Sequence, residues 1–209
     1  YEPQFADFLQ HGDALGVHTH VYRWDEPRRS WVIEQGDPGW VEHNVRLSVG
    51  TFAAALGRPC DFFRFGDRWM SEAAVTLLDD LGIRFDLTLE PGRRQVPSYH
   101  PGKPSTGFVP DQRGVPSHPY RPGRGRFRRA DAARRAGLVE IPVTTAWVRP
   151  LQGLRARPTP ACALEWLKFR LRPWFDTAGL YHEPRRLRSL VDVALEAGAS
   201  YLSLPVRSD

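Results

Sequence analysis

Cysteine is scarce in this chain, with only Cys60 and Cys162 among 209 residues. Two cysteines cannot build a disulfide framework or a four-thiolate zinc ribbon. The sequence also lacks any apolar run of about 18 residues or more, which excludes a conventional transmembrane helix. The residues after Tyr1 lack the charged and then apolar pattern of a signal segment, a pattern that a trimmed start would also remove. A conventional transmembrane helix and a disulfide scaffold are therefore excluded, and the cellular compartment stays open.

The composition is that of an ordinary globular protein, with 41% hydrophobic and 25% charged residues. Such a balance does not favour wholesale disorder. A chain of 209 residues can bury one sizeable core. We therefore expect one domain that spans residues 1–209.

The net charge of +5 is concentrated in one arginine-rich stretch. Seven arginines fall within residues 121–135: Arg121, Arg124, Arg126, Arg128, Arg129, Arg134 and Arg135. A nucleic-acid-binding surface would combine such a stripe with aromatic side chains for base stacking. Only Tyr120 and Phe127 are interleaved, and glycine and proline interrupt the run. The stretch instead predicts a solvated loop that leads into a short basic helix near 130–136, with no nucleic-acid partner.

The first part of the chain alternates between helical and extended patterns. The predicted elements are helices over 4–12, over 41–56 and after Ser71, and strands over 14–22, 62–65 and 83–89. Apolar residues at helical spacing define the helices, and Ser71 is a typical N-cap. This order is typical of parallel βα units, as in a βα barrel or an open parallel sheet.

Prolines and glycines interrupt this order over 25–40 and over 91–129, which predicts two loops. The longer one is expected to lie on the surface with little regular structure. Beyond it the patterns predict a strand over 138–143, a helix near 161–171, a strand over 180–182, a helix over 184–197 and a terminal strand over 201–204.

Two histidines stand one residue apart in the stretch GVHTHVYRW, residues 16–24. Their period-2 spacing places His18 and His20 on one face of an extended segment. Neutral imidazole is a common zinc ligand, so the pair is a plausible half of a metal site. Two ligands do not make a whole site, however. The alternative is an ordinary pair of partly exposed or hydrogen-bonded histidines.

Two further polar signals lie at the ends of predicted strands. Arg64 ends the second strand ahead of Gly66 and Asp67, and His182 ends a late strand. The carboxyl ends of parallel strands meet at one edge of the sheet, where α/β proteins bind their ligands. A histidine pair, a fixed cation and a separate histidine suit metal-assisted hydrolysis. The alternatives are a structural ion pair for Arg64 and a carboxylate-bonded imidazole for His182.

Several stretches resemble the motifs of the polysaccharide deacetylases, carbohydrate esterase family four. FLQHGDALGVHTH is similar to the second motif, in which a helix and glycine precede a His-Ser/Thr metal motif. LGRPCDFFRFGDRWMSEAAVTLLDDLGIRFDLTLEPG resembles the region of the third motif, an arginine-bearing strand followed by a helix and a strand. LVEIPVT resembles a strand found before the barrel closes, and LYH at 180–182 matches the Leu-x-His motif. The resemblance covers nearly the whole chain in the family's order.

The resemblance implies an α/β fold, a distorted (β/α) barrel, and metal-dependent removal of an acyl group from a sugar amide or ester. His18, with His20, would bind the divalent metal, for which zinc is the first expectation and cobalt, manganese and nickel are alternatives. Arg64 would orient the catalytic carboxylate. His182 would protonate the leaving amine.

The chain departs from the family pattern in two places. The family's first motif is an Asp-Asp pair on the first strand, and no such pair precedes His18. The family's second histidine usually lies four residues after the first, where this chain has Tyr22, so His20 would replace it. Either the sequence lacks an upstream segment, which would leave the barrel incomplete at its N-terminus, or the chain is a relative with an altered or lost site. The missing first strand would be supplied by an upstream segment or by a partner.

The aromatic residues support a second hypothesis, a catalytically inactive carbohydrate-binding domain on the same scaffold. Tryptophan and tyrosine rings are flat apolar surfaces on which sugar rings can stack, although tryptophan is more often a packing residue. The candidate platforms are Tyr22, Trp24, Trp31, Trp40 and Trp69. For the enzyme, the expected substrate contacts are Tyr22, Trp24, Trp69 and Asp67.

Overall fold

The computed structural model describes residues 2–97, 104–148 and 173–206. The helices there are α1 (Glu2–Gln10), α2 (Pro38–Leu56), α3 (Glu72–Asp80) and α4 (Pro184–Glu196). The first six strands are β1 (Gly16–Thr19), β2 (Tyr22–Asp25), β3 (Ser30–Ile33), β4 (Phe62–Phe65), β5 (Phe85–Asp86) and β6 (Val96–Pro97). The remaining strands are β7 (Phe108–Val109), β8 (Pro122–Gly123), β9 (Arg126–Ala130), β10 (Val139–Glu140), β11 (Thr145–Val148) and β12 (Trp174–Thr177).

A parallel sheet of four strands, in the order β1–β4–β5–β10, organises the fold. Parallel neighbours need crossover connections, and α2 and α3 supply them between β1 and β4 and between β4 and β5. Phe63 and Phe65 on β4 and Leu78 on α3 are fully buried in the core between sheet and helices. The α/β class predicted from the alternating patterns is confirmed.

Local capping fixes the ends of the helices that flank this sheet. The Asp37 carboxylate accepts a hydrogen bond from the Trp40 amide, and Pro38 opens α2. Gly57 ends α2 with φ 63° and donates its N–H to Ala53, a left-handed conformation that glycine adopts without steric cost. Ser71 caps α3, as its sequence position predicts, by accepting from the Ala74 amide.

The segment after His20 forms a β-hairpin, where a continuous strand to residue 22 and then a loop over 25–40 were predicted. Strands β2 and β3 pair antiparallel through a turn over residues 26–29. The Asp25 carboxylate accepts from the Arg28 amide and closes the turn. The β-prone tyrosine, tryptophan, valine and isoleucine side chains of the two strands outweigh the nearby prolines and glycines.

The long irregular segment has little regular structure, as predicted, within 91–97 and 104–129. Its expected position on the surface is wrong in part, because Val109, Val115, Tyr120 and Phe127 are buried. Backbone bonds between Tyr120 and Glu140 tie it to β10. The segment therefore covers part of the core.

The basic helix predicted near 130–136 is not formed, and the chain makes turns there. The Arg134 guanidinium instead bonds the Asp79 carboxylate of α3 and the Pro122 carbonyl. Two neighbouring arginines also pair with acids of α3: Arg124 with Asp80 and Arg128 with Glu72. Ion pairs with α3, rather than the hydrogen bonds of a helix, therefore fix the position of this arginine-rich stretch.

The C-terminal part differs from prediction in the position of one strand. Strand β12 lies at Trp174–Thr177 and pairs antiparallel with β11, whereas the predicted strand over 180–182 is a turn. The terminal strand predicted over 201–204 is not formed, although the Ser203 carbonyl accepts a hydrogen bond from the Thr144 amide. The helix predicted near 161–171 lies outside the described residues. No helix in the described ranges has the length and apolar character needed to cross a membrane.

Candidate active site

His18 and Arg64 lie side by side on the two neighbouring strands β1 and β4. The parallel register pairs the two residues directly, one step before each strand ends. Period-2 alternation sends the side chains of register partners to the same face of the sheet. The structure thus brings together two of the residues predicted to form the site, at the carboxyl edge of the sheet.

The ring of His20 stacks between those of His18 and Tyr22. The centroids of His18 and His20 are 4.9 Å apart with 15° between the ring planes, and those of His20 and Tyr22 are 5.2 Å apart at 3°. Nδ1 of His20 lies 3.0 Å from Oδ2 of Asp67, whose side chain is 9% exposed. A carboxylate that bonds one imidazole nitrogen fixes the ring and the tautomer, as it does for many metal-binding histidines.

The tight turn over Gly66–Arg68 is shaped around the His20 ring. A Cβ atom at Gly66 would lie 2.2 Å from Nδ1 of His20, so a residue other than glycine would displace the ring. Asp67 and Arg68 both adopt left-handed conformations, with φ 57° and 60°. Such conformations are costly for residues other than glycine, and they aim the Asp67 carboxylate at His20.

The surroundings of His18 disfavour its protonated form. Burial, helped by the neighbouring His20 and by the Arg64 guanidinium, lowers the pKa of His18 from 6.5 to about 4, although Asp67 opposes the shift. His18 is therefore neutral near pH 7. A neutral imidazole has the lone pair that metal coordination needs.

The donor chemistry of this cluster suits a divalent transition metal, but the number of donors is small. His18 and His20 are imidazoles, the donor type that zinc, copper, iron and nickel accept. A catalytic zinc site normally has three protein ligands. The described part of the chain contains no group of three or more histidine, cysteine or acidic side chains placed to hold a metal.

His182 occupies a turn after β12 and is held at one nitrogen. Its Nε2 lies 2.8 Å from the Thr177 carbonyl oxygen and 3.6 Å from Oδ2 of Asp176. Since a carbonyl can only accept, Nε2 carries a proton. Arg186 also bonds the Asp176 carboxylate. The carboxylate partner expected for a structural histidine is thus present, although the closer bond is to the backbone.

A line of polar contacts connects the two histidine regions, and sequence reasoning missed it. Arg68, next to Asp67, lies 4.0 Å from the buried Glu90 carboxylate, which also pairs with Arg93. Nη2 of Arg93 then lies 3.3 Å from Oγ1 of Thr177, whose carbonyl bonds His182. The available signal was the stretch Glu90–Arg93, which directly follows the predicted strand over 83–89.

Two exposed tryptophan rings lie on the hairpin that leaves the site. Trp24 and Trp31 face one another across β2 and β3, with ring centroids 5.5 Å apart and exposures of 42% and 52%. Trp69, by contrast, is 8% exposed and packs edge-on against Phe65 in the core. Its expected role as a substrate contact is therefore corrected to a packing role.

Neither a protein-family model nor a curated protein matches this chain. The functional interpretation accordingly depends on the arrangement of its own side chains.

Proposed function

We propose that this chain is a metal-dependent deacylase that removes an acyl group, usually acetyl, from an N- or O-acylated carbohydrate. One observation carries the proposal: His18, Arg64, His20 and Asp67 meet at the carboxyl edge of a parallel sheet. The line of contacts through Glu90 and Arg93 to Thr177, which bonds His182, adds to it.

Each side chain has a distinct role in this proposal. His18 and the Asp67-oriented His20 would hold the divalent metal, with zinc preferred and cobalt, manganese or nickel as alternatives. The metal, when bound, would polarise the acyl carbonyl as a Lewis acid. Arg64 would orient the catalytic carboxylate, which the missing first-strand motif would supply and which would take a proton from the attacking water. The water oxygen would bond to the acyl carbon, the bond to the sugar nitrogen or oxygen would break, and His182 would deliver a proton to that leaving atom.

The proposed scaffold is a distorted (β/α) barrel of the polysaccharide deacetylase type. Two backbone bonds beside the sheet support this scaffold: the Val143 amide bonds the Leu89 carbonyl and prolongs the contact between the chain segments after β10 and β5, and the Thr144 amide bonds the Ser203 carbonyl and brings a further segment alongside. Among the described residues, no strand pairs with the outer edge of β1. We propose that a strand from an upstream segment or a partner occupies this edge and adds the missing metal ligand.

The substrate contacts proposed for the deacylase are Tyr22 and Trp24, whereas the Asp67 carboxylate, which is 9% exposed, is committed to His20. Tyr22 stacks on His20, so it extends the site directly. Trp24 lies two residues further along the same strand and leaves much of its ring exposed. Such a ring offers a flat surface to an apolar face of a sugar.

The test measures acetate release from two probes, an oligomer of N-acetylglucosamine and an O-acetylated xylan, with the protein loaded with zinc. We expect release that stops on metal chelation and returns with zinc, and that is lost in His18→Ala. His11→Ala, at an exposed position on α1's C-terminal side, is the matched control. Release that persists at full rate in His18→Ala would overturn the proposed site.

A second candidate is a catalytically inactive carbohydrate-binding domain. The exposed Trp24–Trp31 pair favours it, as does the presence of two imidazole donors where a catalytic zinc needs three ligands. This function predicts binding of the same sugar oligomer, measured by tryptophan fluorescence, without acetate release. Trp24→Ala would weaken that binding, whereas the buried Trp69 would not contribute to it.

A further inference from the structure

Two acidic side chains face each other inside the parallel sheet. Asp86 on β5 and Glu140 on β10 are register partners, and both are 0% exposed. Two ionised carboxylates are strongly unfavourable in such a position, because burial removes each charge from water and the two charges repel each other. Protonation of one carboxylate removes one of the two charges.

The hydrogen bonds of the two carboxyl groups differ sharply. Asp86 accepts from the Thr88 amide at 3.1 Å and from Thr88 Oγ1 at 2.7 Å. Thr88 Oγ1 in turn accepts from the Phe65 amide at 2.9 Å. In the described ranges, no donor reaches either carboxyl oxygen of Glu140. Asp86 is thus equipped to be the ionised partner, and a proton on Glu140 would supply that side chain's missing hydrogen bond.

The charged and titratable groups around the pair favour the same assignment. Burial raises the pKa of both carboxyls, and the Asp86 charge raises that of Glu140 further. A hydrogen bond with Glu140, the two bonds from Thr88 and then the charge of Arg64, from β4, counteract the rise in the pKa of Asp86. Tyr120 pairs with Glu140 through the backbone and donates its hydroxyl to the Phe127 carbonyl. Burial and these carboxylates raise the pKa of Tyr120, so it remains neutral.

We propose that Glu140 carries one proton near pH 7 and donates it to an ionised Asp86, and that Asp86 with Thr88 positions Arg64. A short series of contacts connects Asp86 to Arg64. Asp86 holds Thr88, Thr88 holds the Phe65 amide, and Phe65 directly follows Arg64 on β4. The Asp86 charge also attracts the guanidinium. The statement about Arg64 in catalysis depends on the proposed deacylase function, whereas the shared proton and the fixed strand end do not.

The proton is tested by carbon NMR of the glutamate side-chain carboxyls in the full chain. We expect the Glu140 carboxyl to have the chemical shift of a protonated acid at pH 7. Glu42, exposed on α2 and paired with Arg46, is the internal control for a solvent-exposed glutamate carboxyl. An ionised Glu140 at pH 7 would overturn the proposal.

The positioning role is tested by amide hydrogen exchange at Phe65 in three variants. Glu140→Gln retains a donor toward Asp86 and should leave the Phe65 exchange rate unchanged. Asp86→Asn and Thr88→Val break the relay, and each should accelerate exchange by about tenfold, the equilibrium equivalent of one lost hydrogen bond. Thr88→Val keeps the side-chain shape and every carboxyl group, so it decides the question if Asp86→Asn does not fold. Unchanged exchange in Thr88→Val would contradict the positioning role.

Kinetics separate positioning from a general loss of structure. In an active protein, Thr88→Val should lower kcat with little change in KM and with unchanged zinc content. A rise in KM with an unchanged kcat would count against the link to Arg64. An inactive wild type would overturn the proposed function, and the NMR and exchange results would then decide this inference by themselves.

Discussion

His18 stands beside Arg64 in the parallel register of β1 and β4, so an imidazole and a permanent cation share one edge of the sheet. Partial burial, followed by the neighbouring His20 and the Arg64 charge, opposes a positive charge on His18 and lowers its pKa. This arrangement keeps the imidazole neutral without any carboxylate bonded to it in the described structure. A histidine kept in this state is available to a metal throughout the neutral range.

The first prediction concerns the pH dependence of the metal-free protein. The pKa of His18 is lowered from 6.5 to about 4 in the folded state, so between these values the unfolded chain binds a proton that the folded chain does not. The free energy of unfolding should therefore fall as the pH drops through this window, and the contribution should be complete above it. Denaturant unfolding at a series of pH values measures the effect, and imidazole NMR measures the pKa.

His18→Gln should remove this component of the pH dependence, since glutamine does not titrate. His11→Gln changes an exposed histidine and should retain the wild-type profile. A His18 resonance that titrates near 6.5 in the folded metal-free protein would contradict this account of its surroundings.

The second prediction concerns zinc affinity. His18→Ala and His20→Ala should each weaken zinc binding, because each removes a proposed ligand. Asp67→Asn should weaken it by roughly 10–100-fold, the usual effect of losing a partner that orients a metal ligand. Calorimetric titration and metal analysis provide the measurement, with His11→Ala as the control. Equal zinc uptake by wild type and His18→Ala would exclude this metal site.

The third prediction contrasts two glycine substitutions. Gly66→Ala places a methyl group against the His20 ring and should destabilise the fold by about 1–3 kcal/mol, the usual cost of overpacking. Gly50→Ala, inside α2 with nothing within 4 Å of the added atom, should stabilise by about 0.5–1 kcal/mol. Thermal unfolding measures both. Gly66→Ala should also lower zinc affinity, and a stable variant with wild-type affinity would disprove the close contact.

The fourth prediction concerns His182 as the acid. In an active protein, His182→Ala should lower turnover by roughly 10²–10⁴-fold, the share typical of general acid catalysis. Its zinc content should not change, because the residue is not among the proposed ligands. A variant that loses the metal, or one that keeps full turnover, would show that His182 has another role.

Sequence patterns predicted the elements that depend on local physics. The apolar spacing of α2, the Ser71 cap and the aromatic strand β4 all appear in the structure close to their predicted positions. The hairpin of β2 and β3 was missed because its turn is closed by a side chain, Asp25, in a stretch rich in loop-forming residues. The basic helix predicted near 130–136 does not form, because the Arg134 guanidinium bonds the Asp79 carboxylate and the Pro122 carbonyl instead.

The part of the site that could be predicted is the part at the carboxyl ends of the parallel strands. His18 and Arg64 end parallel strands, so their approach followed from topology. The contacts of Glu90 with Arg93 and of Asp86 with Glu140 join residues whose partners no local periodicity identifies. Charged residues within predicted strands were the available clue, since an acid inside a buried strand needs a partner or a proton.

Asp67 and Arg68 both have left-handed backbone conformations, so the backbone beside His20 is strained. Each such conformation costs about 1–2 kcal/mol in a residue with a Cβ atom, and the site recovers this through the contact between Asp67 and His20. The strained turn therefore fixes the direction of one imidazole, and Asp67→Gly would relax the turn and leave the His20 ring without the partner that orients it.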